Sequence, residues 1–179
     1  MSISPAALSL ASLSLEYCKV VAAATQMSPR DFLRDVLRYL PRFYITISDL
    51  RPYGDGTDPD AEPEETGLIY DTVTEDQYED VRSQLASVLG ENDMFLDTQV
   101  ADMQYSDTPV AVSLAELLAD IYQAMADFAS TMAQITPDMV PDALSELKYR
   151  FASYLADTIC RALKAANYTY YNSTFDTEE

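Results

Sequence analysis

The sequence contains no histidine and no tryptophan, and it has two cysteines and four glycines in 179 residues. Without histidine, a histidine-based triad, an imidazole general base and an imidazole metal ligand are all excluded. Two thiols cannot build a four-thiolate zinc site. No G-x-x-x-x-G-K-[ST], G-x-G-x-x-G or G-x-S-x-G motif occurs, so the usual phosphate-cradling loops and the nucleophile elbow are missing as well. Positive charge is scarce: 11 Lys and Arg stand against 30 Asp and Glu, a formal net charge of −19. That balance repels nucleic-acid phosphates and anionic lipid, so neither nucleic acid nor a membrane is expected as a partner.

Long apolar runs are also lacking. The longest run near the start, Val20 to Ala24, falls far short of the ~20 residues that span a bilayer. Met1 to Ala11 carries no Lys or Arg and is interleaved with serines, unlike a secretory signal. Cys18 and Cys160 each sit in a helical pattern and read as free thiols that pack as small hydrophobes. The cytoplasm is the expected compartment.

What the chain does have is apolar side chain, 48% of its residues, and a length matching one domain at ~150 residues per domain. Repeated helical periods and few glycines predict an all-α, single-domain bundle of about six or seven helices. Residues 1–167 make up the domain, residues 54–67 an acidic loop within it, and residues 168–179 a flexible C-terminal tail. The first helix is expected over residues 5–25, with Leu8, Leu15, Cys18 and Ala22 at helical spacing. Ser28-Pro29 opens the second with a capping hydroxyl and a first-turn proline. Its apolar face runs through Phe32, Leu33, Val36, Leu37, Leu40 and Phe43, and Pro41 is expected to kink or split it.

The loop GDGTDPDAEPEETG holds three of the four glycines and six acids without apolar periodicity, and it reads as mobile. Leu68 to Val73 could be extended. Thr74 with Gln77 forms a capping-box pattern ahead of a helix ending near Gly90. Over residues 92–105, Leu96, Val100 and Met103 allow a short helix. The clearest signal is Leu114, Leu118, Ile121, Met125, Phe128, Met132 and Ile135, which alternate spacings of four and three and predict a long helix at the centre of the bundle. Thr136-Pro137 starts a last helix carrying Leu144, Leu147, Phe151, Leu155, Ile159 and Leu163 to about Ala166.

Charge is distributed unevenly: residues 1–54 carry a net +2, residues 55–107 −15 and residues 108–179 −6. Arg30, Arg34, Arg38 and Arg42 recur every fourth residue opposite the apolar face of the second helix, a candidate interaction surface for an acidic segment or a phosphate-bearing ligand. The plainer reading is a solvated face with weak intrahelical Asp–Arg pairs. The acidic loop follows closely enough to shield that stripe, residues 55–65 lying over it.

Carboxylate spacing raises the question of a metal. All-α nucleotide pyrophosphatases hold Mg2+ with acids at E-x-x-E and E-x-x-D spacing on facing helices. This chain offers only Asp76-x-x-Glu79 and Glu116-x-x-x-Asp120. Glu75, Asp76, Glu79 and Asp80 suit a helix N-terminus in any case. Glu116, Asp120, Gln123 and Asp127 point away from the heptad seam and read as a solvated back face. The acidic loop has Pro63 where an EF-hand needs glycine. No catalytic residue, metal ligand or cofactor is assigned.

Tyr105-Ser106-Asp107-Thr108-Pro109, Leu118-Ala119-Asp120-Ile121-Tyr122-Gln123, Glu75-Asp76-x-x-Glu79-x-x-Arg82 and Leu89-Gly90-Glu91 together resemble an uncharacterised bacterial helical family known only as a domain of unknown function. The similarity runs from about Thr74 to Ala166. It implies an all-helical cytoplasmic bacterial domain and carries no activity, ligand or partner. Asp107, Asp120 and Tyr122 are a candidate polar site should this fold bring them together. The expected function is a non-enzymatic interaction or scaffold domain with a protein partner. The alternatives are a divalent-metal-dependent hydrolase of the all-α nucleotide pyrophosphatase kind and an acidic nucleic-acid mimic.

Overall fold

A computed structural model describes residues 4–51, 63–98 and 108–173. The chain forms helices α1 (Pro5–Ala22), α2 (Pro29–Ser48), α3 (Glu75–Leu89) and α4 (Leu114–Met132), then α5 (Val140–Arg150) and α6 (Ala156–Asn172). A π-helical segment, Phe151–Leu155, joins α5 to α6 without a break, so the described residues form five helical rods rather than six or seven. Strands β1 (Met94–Asp97) and β2 (Val110–Ser113) make one antiparallel pair, with Phe95 opposite Val112. Residues 94–97 are therefore strand and not the short helix that Leu96 suggests. Phe95 and Asp97 turn inward while Met94 and Leu96 face out, and this two-residue alternation fits a strand on the bundle's surface.

The helix starts follow their local chemistry. Ser28 Oγ accepts from Asp31 N at 3.1 Å. Thr74 and Gln77 exchange both bonds of a capping box. Ser113 caps α4, and Asp93 braces the same turn by accepting from Ala115 N at 2.7 Å. At the other end of α2, Lys148 Nζ donates to the Leu50 carbonyl at 2.8 Å, a cation placed where helix carbonyls lack partners.

Helix α4 lies at the centre, packed against α1, α3, α5 and α6, while α2 packs on α1 and α6. Leu114, Leu118, Ile121, Met125, Phe128 and Met132 are all buried, as the heptad spacing requires. Pro41 lies inside α2 without dividing it. Burial of Phe43, Ile47 and Leu40 around the proline contributes ~1.5 to 3 kcal/mol each, and the three together exceed the ~3 kcal/mol that an internal proline costs.

Two sequence expectations change. Helix α1 buries Ala7, Leu10, Ser14, Tyr17 and Val21, leaving Leu8 and Leu15 exposed. Tyr17 sets this rotation: its hydroxyl donates to the Leu118 carbonyl at 3.0 Å, and its ring meets Phe43 edge-on at 5.3 Å. Ser14 tolerates burial because it donates to the Leu10 carbonyl at 2.8 Å. The last helix also runs past Ala166 to Asn172, with Thr169 buried and Ser173 Oγ at 2.7 Å from Asn92 Oδ1, so residues 168–172 are helix rather than tail. Among the described residues no helix is long and apolar enough to cross a membrane.

Phe128→Ala should lower the free energy of unfolding by about 3 to 5 kcal/mol, and Leu15→Ala by under ~0.5 kcal/mol. Urea denaturation monitored by circular dichroism measures both, and comparable losses would return Leu15 to the core.

Candidate functional site

Residues 64–73 form a strap without helix or strand that crosses α4 and α5. Its backbone groups need partners, and side chains of the two helices supply them. Ser145 Oγ accepts from Glu64 N and donates to Glu64 O. Glu146 Oε2 accepts from Thr66 N and Gly67 N, both at 2.8 Å. Gly67 takes a φ of 68°, which suits a residue without Cβ. Thr131 Oγ1 accepts from Tyr70 N at 2.9 Å. Asp127 Oδ1 accepts from Thr72 N at 2.7 Å, Thr72 Oγ1 at 2.8 Å and Val73 N at 2.9 Å.

Asp127 is thus 1% exposed and not part of a solvated back face. Of the acids assigned to that face, Glu116 remains exposed and Asp120 is half-buried. The missed signal lay in composition. Helix α4 has five alanines and no Lys or Arg, a pattern that belongs to a helix covered on all sides.

Beside the strap opens a polar cleft of about 350 Å³, lined by Asp71, Asp120, Gln123, Ala124, Asp127, Arg150 and Tyr154. Tyr154 comes from the π segment, a local widening of the helix that often accompanies binding sites. Arg150 is already engaged: Nε donates to Glu146 Oε1 at 2.9 Å and Nη2 to the Ile69 carbonyl at 3.2 Å. Asp120 Oδ1 accepts from the Tyr78 hydroxyl at 2.8 Å. Burial lifts the Asp120 carboxyl above its ordinary range; the Tyr78 bond opposes this and the charge of Glu116 adds to it. Burial, then the bond to Asp120, pushes the Tyr78 phenol up in turn.

Of the candidate polar residues, Asp120 and Tyr122 do not meet. Asp120 meets Tyr78 of α3, whereas Tyr122, two positions along α4, lies on the other side of the helix near Cys18. Asp107 lies outside the described residues. Arg30, Arg34, Arg38 and Arg42 are exposed along α2, as the wheel requires. Arg34 pairs with Asp31 at 2.7 Å and Asp35 at 3.6 Å, Arg38 with Asp35 at 3.8 Å, and Arg30 lies 5.3 Å from the Tyr170 ring centre. Such exposed pairs are each worth a few tenths of a kcal/mol. Most of the acidic loop, residues 54–62, lies outside the described residues, and Glu64 within the loop docks on Ser145 of α5. Among the described residues no three carboxylates converge on one point.

Asp127→Ala removes the shared charged acceptor of the Thr72 and Val73 N–H groups and the Thr72 hydroxyl and should cost about 2 kcal/mol, with faster amide exchange at Tyr70, Thr72 and Val73. Glu116→Ala should change neither quantity, and equal effects would show that the strap is held by something else.

At Glu146, burial works to raise the carboxyl, but the Arg150 guanidinium and the Gly67 and Thr66 amides outweigh it and hold the group below its ordinary range. A depressed folded value stabilises the fold above the unfolded value of ~4.3, and the contribution is lost as pH falls through the folded value. Denaturation midpoints between about pH 6 and about pH 3 should therefore fall less steeply for Glu146→Gln than for the wild type. Parallel slopes would remove Glu146 as the acid-sensitive anchor.

Among curated proteins none matches the chain. The solved structure of protein BF1032 from Bacteroides fragilis matches over 96% of this chain and 96% of its own, with a TM-score of 0.72 and 24% sequence identity, a likeness of fold. The similarity first visible from Thr74 onward extends through α1 and α2 as well. Residues 1–172 match the model of the family described as Domain of unknown function (DUF5063), and the chain belongs to that family.

Proposed function

We propose that this chain is a non-enzymatic interaction domain of the bacterial cytoplasm. The observation that carries the reading is the commitment of its polar groups: Asp127, Glu146 and Arg150 hold the strap, and Asp120 holds Tyr78. A general acid or base needs a site near a reacting atom and a pKa near the working pH. Here the buried acids face backbone amides instead. The thiols give no activated nucleophile either, since burial and then the Asp127 charge push Cys18 up to about 12, and burial raises Cys160.

The metal-dependent hydrolase is the competing reading. It would require acids of α3 and α4 to face one another across a common ion. Between those helices one carboxylate oxygen of Asp120 is taken up by the Tyr78 hydroxyl. The acidic mimic has only the net charge in its favour.

With Mg2+ or Mn2+ at about 5 mM the melting temperature should stay within about 1 °C, because a ligand far above its Kd must stabilise the native state. A multi-degree rise that Asp120→Ala abolishes, with release of pyrophosphate from nucleoside triphosphates, would favour the hydrolase.

A further inference from the structure

A groove of about 590 Å³ separates β1 from α6, lined on one side by Met94, Phe95 and Leu96 and on the other by a helix face that includes Ala165, Tyr168 and Asn172. Successive residues of a strand point to opposite faces. A groove touched by three of them in a row, and by no residue of β2, therefore follows the outer edge of β1. Among the described residues β2 is the only strand that pairs with β1. The outer edge thus presents backbone donors and acceptors next to a helical wall.

Exposed apolar surface gathers at this place. Met94 is 56% exposed, Leu96 69% and Tyr168 68%. A lysine or proline facing solvent on the strand is one of the ways such an edge is blunted, and β1 carries neither. Here the strand's one charged side chain, Asp97, is buried and turned inward, where Arg161 Nε reaches it at 2.6 Å. Among the described residues nothing pairs with this edge, and the exposed side chains of β1 are apolar.

Charge selects the occupant. Lys164, the base on the helical wall, is drawn to Asp97 at 3.5 Å. Glu91, in the turn before β1, lines the groove and has no ion pair among the described residues, and residues 55–107 of the sequence carry a net −15. A second copy of a chain with a net charge of −19 would be repelled, whereas a cationic segment would be drawn in.

We propose that the β1–α6 groove binds an extended peptide segment of a partner protein, which adds as a third strand to β1 and places a Lys or Arg against Glu91. This rests on the reading of the chain as an interaction domain and names the surface and the partner chemistry. Main-chain bonds to the strand edge supply affinity, and contacts with Met94, Leu96 and Tyr168 favour alternating apolar residues in the peptide.

The test uses fluorescence anisotropy with the full chain and three labelled peptides: Lys-Val-Thr-Val-Thr-Val-Lys, its counterpart with Glu at both ends, and the first peptide N-methylated at alternate residues. The Lys-ended peptide should bind at least about ten-fold more tightly than the Glu-ended one. N-methylation should weaken it by a similar factor, because it deletes strand hydrogen bonds and leaves side chains unchanged. Glu91→Lys should reverse the charge preference. Tyr168→Ala should weaken binding while the helical circular dichroism stays unchanged, and Tyr44→Ala on α2 should leave both binding and spectrum unchanged. Failure of all three peptides to bind, or equal binding of the N-methylated form, overturns the proposal. Self-association in sedimentation that Tyr168→Ala abolishes also overturns it, in favour of a second copy. None of these results alters the metal and hydrolysis measurements that test the interaction-domain reading itself.

Discussion

The fold depends on buried carboxylates that accept backbone hydrogen bonds. Asp127 and Glu146 project from α4 and α5 and together receive four amide N–H groups of a strap that forms no hydrogen-bonded structure of its own. An amide buried without an acceptor costs about 1 to 3 kcal/mol, so the strap can cover the helices only where acceptors stand ready. The strap in turn puts Ile69 into the core and covers the side of α4 that the heptad seam leaves open. Central position, the burial of most of α4 and the strap form one arrangement with the carboxylates at its hinge points.

The same use of acid recurs. Asp93 accepts from the Ala115 amide and the Ser113 hydroxyl, and Asp97 joins β1 to α6 through Arg161 and Lys164. Burial raises the Asp97 carboxyl by itself, yet the Arg161 bond and charge hold it below the ordinary range. A protein with so large an acidic excess must tolerate self-repulsion, and moving some carboxylates inside against N–H groups and guanidinium removes them from the crowded surface.

Much of the fold was legible in the sequence, and the reasons are local. The caps at Ser28 and Thr74, the proline at the start of α2 and the heptad from Leu114 to Met132 all act within a few residues or one helix face. The strand at residues 94–97 was hidden because its partner, β2, begins 13 residues after β1 ends, so nothing in Met-Phe-Leu-Asp marks it as paired. Leu15 and Ser14 exchanged places because Tyr17 sought a carbonyl on α4, a contact 101 residues away in the chain. The arginine stripe of α2 was visible for the opposite reason: an exposed face is decided by the helix alone.

By itself the sequence determined that the chain is helical, acidic, free of histidine chemistry and built around one heptad helix, since composition and short-range periodicity act wherever the chain happens to fold. Only the tertiary structure decided that Asp127 is an anchor instead of a solvated acid, that Asp120 meets Tyr78 and not Tyr122, and that β1 and α6 flank one groove. Each depends on which distant segment arrives at a given helix face. A carboxylate has the same residue type and wheel angle whether it meets water or an amide, and the difference of several kcal/mol between those surroundings is set by packing, which one-dimensional periodicity does not encode.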